Sequence, residues 1–91
     1  MLRPKVDVEE FEKMGFKRCR GIAKESRCYY LCVSRGCKML FVSPVLFDVN
    51  EWNDDDTRIH KNANCRYSDA RTYLDIIYDL IKAGMLESAL P

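Results

Sequence analysis

Residues 28–43 read CYYLCVSRGCKMLFVS, and this stretch decides the fold. Two runs rich in aromatic and branched side chains, Cys28 to Val33 and Lys38 to Ser43, flank the tight turn Ser34-Arg35-Gly36-Cys37, whose glycine suits a positive φ. The reading is a β-hairpin, and with it an antiparallel sheet. Toward the N-terminus, Lys24-Glu25-Ser26-Arg27 is a polar turn, and Phe16 to Ile22 is a basic, extended strand. Downstream, Pro44 interrupts the chain. Val45, Phe47 and Val49 then alternate as a strand does, whereas Ser43-Pro44 could equally start a short helix; the strand is the preferred reading of residues 44–49.

Helical signals lie at both ends. Asp7-Val8-Glu9-Glu10 has the form of a capping box, with Asp7 bonding the Glu10 amide and Glu10 reaching back. Val8, Phe11 and Met14 then share one face, Gly15 suits a left-handed cap, and Phe16 folds back on Phe11. A longer helix runs from Ser68-Asp69 to about residue 83, with Ala70, Tyr73, Leu74, Ile77, Leu80 and Ile81 as its apolar stripe. Gly84 closes it and Met85 can touch Leu80 in the cap. Residues 50–67 form a long loop and 85–91 a tail. The expected fold is α+β: a small antiparallel sheet of three or four strands, covered on one face by the long C-terminal helix and the short N-terminal one, the other face partly open.

Composition narrows the class of molecule. With 91 residues the chain has room for a single domain spanning 1–91, and 47% hydrophobic with 32% charged residues is the balance of a folded one. The longest apolar run, Cys28 to Val33, is six residues, against the ~20 that cross a bilayer. No apolar segment follows Met1-Leu2-Arg3-Pro4-Lys5, and five cysteines is an odd number, so the expected setting is cytoplasmic, with reduced thiols. Net charge is +1, but residues 1–38 carry ten positive and five negative charges and residues 39–91 five and nine. Any basic surface therefore comes from the first half.

Each chemical motif meets a simpler alternative. Cys28 and Cys32 share a strand face but lie about 13 Å apart at ~3.3 Å per residue, too far for thiolates that must sit within ~4 Å of each other on one zinc ion. No CxxC or HxxxH spacing occurs, and a site from Cys37, His60 and Cys65 would need the long loop folded over the hairpin turn, so no metal and no cofactor is expected. Cys65 and His60 are the minimal nucleophilic pair, without oxyanion-hole glycines beside Cys65; a surface histidine next to Lys61 is the simpler reading. Asp54-Asp55-Asp56, with Asp48, Asn50 and Asn53, lacks the alternating spacing, central glycine and closing glutamate of a calcium loop, and reads as a solvated acidic loop around Trp52.

Two binding readings remain. Trp52 in an acidic loop suits contact with a basic protein partner. Lys17, Arg18, Arg20, Lys24, Arg27, Arg35 and Lys38, interleaved with Phe16, Tyr29 and Tyr30, suit single-stranded nucleic acid, although no RNP-type, GxxG or helix-turn-helix pattern accompanies them. No catalytic residues are assigned. The expected function is a small binding module acting through protein–protein contact, of adaptor or inhibitor type, with Trp52, Arg18, Arg20 and Tyr30 as contact residues and a homodimer formed through strand Lys38–Ser43 or an exposed face. The alternatives are a nucleic-acid-binding module on the basic strands of residues 17–38, and a thiol- or zinc-dependent activity at Cys65 and His60.

Overall fold

The structure is a computed structural model, and it describes residues 1–21, 26–33, 38–53, 55–60 and 72–88. Its β-strands are β1 (Leu2–Pro4), β2 (Lys17–Arg18), β3 (Tyr29–Cys32), β4 (Lys38–Val42), β5 (Phe47–Glu51) and β6 (Leu86–Ser88). A 3₁₀ helix covers Val8–Met14 and an α-helix, α1, covers Tyr73–Lys82. All six strands join one antiparallel sheet in the order β2-β3-β4-β5-β1-β6.

The hairpin that decided the class is present, with Tyr29 opposite Val42 and Cys32 opposite Met39. Its turn, residues 34–37, lies outside the described residues, as do 22–25 and Ser68-Asp69; the long helix expected from Ser68-Asp69 begins only at Tyr73, because Thr72 is extended and caps it. Of the residues read as strand, 44–49, only 47–49 are strand, and β5 runs on to Glu51, two residues into the expected loop. Residues 44–46 turn instead, because Ser43 opens a tight turn rather than a helix, its amide donating to the Leu46 carbonyl at 2.9 Å and its Oγ accepting from the Leu46 amide at 3.2 Å.

The strand count differs from the expectation at the two ends. Leu2–Pro4 is a strand, and the tail expected over 85–91 is a strand from Leu86 to Ser88, set antiparallel to it with Arg3 opposite Glu87. Pro4 ends β1, beyond its single registered pairing with β5 at Leu2. Met85 and Leu86 are buried, which anchors this terminal ribbon. Since β4 lies between β3 and β5, its edges are both occupied, and a dimer through Lys38–Ser43 is excluded by the sheet order.

Capping chemistry also moved. At the 3₁₀ helix Asp7 Oδ1 accepts from the Glu9 amide at 3.0 Å, not from Glu10, and Glu10 reaches forward to Lys13 rather than back. Gly15 takes the left-handed cap at φ 96°, and Phe16 packs edge-on against Phe11 at 5.3 Å, as the sequence predicts. The reciprocal capping box belongs to α1: Thr72 Oγ1 accepts from the Asp75 amide at 3.3 Å while Asp75 Oδ2 accepts from the Thr72 amide at 3.1 Å. At its other end, Gly84 at φ 76° lets its amide reach Ile81 and that of Met85 reach Leu80, which satisfies two carbonyls of the last turn.

Strand alternation divides the core in two. Tyr29, Leu31, Val33, Leu40, Val42 and Phe47 face α1 and the 3₁₀ helix, joined by Phe11, Ile76 and Leu80. Tyr30, Cys32, Met39 and Phe41 face the other way and are equally buried, because Ile59 and Trp52 of the segment after β5 pack over them with Cys19 and Cys28. The second face, expected to be partly open, is closed by this segment. No helix among the described residues is long and apolar enough to cross a membrane.

Candidate functional site

Three polar arrangements and one apolar one stand out above the packed core. On the second face, residues 55–60 dock beside the chain that leaves β2, where the Arg20 amide donates to the Arg58 carbonyl at 2.9 Å. Arg58 is fixed from two sides. Its Nε and Nη2 donate to the two carboxylate oxygens of Asp56 at 3.0 and 2.7 Å, and its guanidinium carbon lies 3.7 Å from the centre of the Phe41 ring. The hydrogen bonds from Arg58 hold the Asp56 carboxyl below the usual carboxylate range, and Asp56 in turn raises Arg58.

Next to this pair lie two thiols. The β2–β3 register, Lys17 opposite Tyr30 and Arg18 opposite Tyr29, runs on one step to set Cys19 opposite Cys28. The Cys19 amide donates to the Cys28 carbonyl at 2.9 Å, and Cys19 Sγ lies 3.2 Å from Cys28 Sγ. Cys19 is buried; Cys28 is half-exposed. Hydrogen bonding from Cys19 lowers the Cys28 thiol, and the positive charge of Arg58 adds to this against burial and Asp56. Cys19, whose proton is held in that bond and which is buried, is raised. A cavity of about 160 Å³ opens here, lined by Cys28, Phe41, Ser43, Asp48 and Arg58 among others.

The third polar arrangement binds His60. The fully buried Tyr30 places its hydroxyl 3.2 Å from the His60 amide, whose proton it accepts, and 2.7 Å from Nδ1. Tyr30 is therefore corrected from a contact residue to an internal anchor: it holds the loop to the sheet and has no surface to offer. His60 is tied to Tyr30, while Cys65 and Cys37 lie outside the described residues. No group of three metal-ligating side chains occurs among the described residues.

The other expected contact residues do not form one patch. Arg18 is exposed on the face that carries Tyr29, with Nη2 3.4 Å from the Tyr29 hydroxyl. Trp52 is half-buried in the cluster on the opposite face. Arg20 is exposed where β2 ends. The rings expected to alternate with the basic residues as a stacking surface, Phe16, Tyr29 and Tyr30, are 3%, 0% and 0% exposed.

The apolar arrangement lies on α1. Ile76 and Leu80 are buried, with Tyr73 and Ile77 packed against the core. Leu74, Tyr78 and Ile81, at spacing i, i+4, i+7, are 61%, 63% and 46% exposed. Leu74 and Ile81 were expected in the core stripe. At about 100° per residue the apolar positions span roughly 200° of the helix, too wide for one sheet to cover. Asp75, Asp79 and Lys82 border the exposed part. This second stripe was legible in the sequence as an excess of apolar residues on the helix; the Cys19–Cys28 pairing follows from the β2–β3 register, which the sequence alone left open. Compared with known protein families, curated proteins and solved structures, the chain matches none, and its geometry is what speaks for its function.

Proposed function

We propose that this chain is a small binding module acting through protein–protein contact, and that its contact surface is the outward stripe of α1, occupied by a second copy of the chain. The observation that carries the reading is the exposure of Leu74, Tyr78 and Ile81 in one line along a capped helix. The stripe is self-complementary. In an antiparallel two-fold pairing centred on Tyr78, the two tyrosines meet each other and Leu74 lies within one residue's rise, about 1.5 Å, of Ile81 of the second copy. The same flank of each helix then adjoins, which brings Asp75 within one residue's rise, about 1.5 Å, of Lys82 of the second copy, twice by symmetry. The contact is short, so it belongs with transient interfaces burying less than about 1,200 Å². Arg18, Arg20 and Trp52 lie off α1 and stay proposed as residues for a further protein partner.

The nucleic-acid reading has Lys17, Arg18 and Arg20 in its favour, all exposed, but its stacking rings are inside the core. Sedimentation equilibrium over a range of concentrations tests the proposal. The apparent mass should rise from the 10.7 kDa of one chain toward twice that value. Tyr78→Glu should remain at the lower mass, and Lys82→Glu should weaken association at low salt more than at high salt. A protein that stays at one chain throughout, or a Tyr78→Glu variant that associates like the wild type, overturns it.

A further inference from the structure

We propose that Cys19 and Cys28 form a reversible dithiol–disulfide pair, in which Cys28 exchanges with a small disulfide at the cavity beside Arg58 and Cys19 resolves the mixed disulfide. The inference is independent of the α1 surface and goes beyond the binding role.

Three geometric facts support it. Directly opposed residues on antiparallel strands have Cα atoms about 4.5–5.5 Å apart, inside the ~4.4–6.8 Å range that disulfides span. The sulfurs, at 3.2 Å, need only side-chain rotation to reach bonding distance, because the backbone is already locked by the hydrogen bond from Cys19 to Cys28. Access is unequal: Cys28 lines the cavity and Cys19 does not. That inequality assigns the order of events, since the sulfur an oxidant can reach must react first.

The chemistry closes with a low-molecular-weight disulfide, RSSR, as oxidant. Cys28 as thiolate attacks one sulfur of RSSR, a Cys28–SR bond forms and RS⁻ leaves. Cys19 gives up its proton to solvent or to that thiolate and attacks Cys28 Sγ, and the second RS⁻ leaves. Two thiols are oxidised, one disulfide is reduced to two thiols, and excess thiol reverses both steps. The hydrogen bond that Cys19 donates and the charge of Arg58 favour the thiolate of Cys28. Cys32 is fully buried and takes no part.

The experiment is oxidation of the full chain with glutathione disulfide, followed by mass spectrometry and peptide mapping without reduction. The expected result is loss of two hydrogens and a Cys19–Cys28 cross-linked peptide. Cys19→Ser should accumulate the Cys28 mixed disulfide, whereas Cys28→Ser should leave Cys19 unmodified. In the unaltered protein, iodoacetamide should label Cys28 before Cys19 and Cys32, and Arg58→Gln should slow that labelling roughly 3–10-fold. Absence of the cross-link in the oxidised protein, or labelling of Cys19 ahead of Cys28, overturns the proposal. The labelling order needs no substitution, so it stands even if a serine variant fails to fold.

Discussion

At the scale of single residues, the second face is held by polar side chains that each do one job. Tyr30 sits at the sheet end of one such link, Arg58 at the loop end of another, and between them they pin residues 55–60 over Phe41 and Cys19. Asp56 makes this link depend on pH. Its carboxyl titrates below the usual value of 3.8 in the folded protein because Arg58 bonds its charged form. The stabilisation is therefore complete above 3.8 and fades as the pH falls through the lower folded value. Asp56→Asn should cost on the order of 1 kcal/mol at neutral pH, the value for a partly screened charged hydrogen bond. Urea unfolding at a series of pH values should show that deficit closing under acid conditions; a deficit that stays constant with pH would assign the loss to packing. Little of this was legible in advance. Asp56 reads as one of three aspartates, and its partner two residues away is recognisable only once the chain turns back at that point.

At the scale of elements, α1 shows how a helix can be secure in sequence and still be misread in its faces. Its caps at Gly84 and its periodicity were plain, because they are local properties of the chain. Which apolar residues face inward was not, since Tyr73, Leu74, Ile77 and Ile81 fit the same period and only the position of the sheet selects among them. The contrast is measurable. Leu80→Ala, which empties a position 1% exposed, should lower stability by about 2–5 kcal/mol. Ile81→Ala, at 46% exposure, should change it by less than about 1 kcal/mol when unfolding is followed at dilute concentration. Similar costs at both sites would mean that α1 is rotated from the orientation described. The hairpin strands were legible for the opposite reason: Tyr29, Leu31 and Val33 alternate with Tyr30 and Cys32, and both sets are apolar, so the strand is specified whichever face is filled.

For the whole molecule, the four strands β2 to β5 follow one another in space as they do in sequence, and this much the turn signals predict. The ribbon of β1 and β6 does not follow. Leu2–Pro4 and Leu86–Ser88 are three residues each, too short to carry a pattern of their own, and they become strands because the edge of β5 and each other supply the hydrogen bonds. The ribbon meets the rest of the sheet where Leu2 lies opposite Phe47. Sheet order thus separates the chain by time as well as by place. Pairings within β2 to β5 close loops of ordinary length, whereas β1 must find a partner more than eighty residues along, a contact whose loop entropy must be met before any burial rewards it. Amide exchange should report the difference, with Lys5, which donates to Met85, losing protection well before Leu31 and Leu40. Uniform protection across the sheet would tie the ribbon to the global unfolding event. A ribbon that exchanges first would also be the pairing expected to close last, so that one place in the molecule would govern both its final folding step and its breathing.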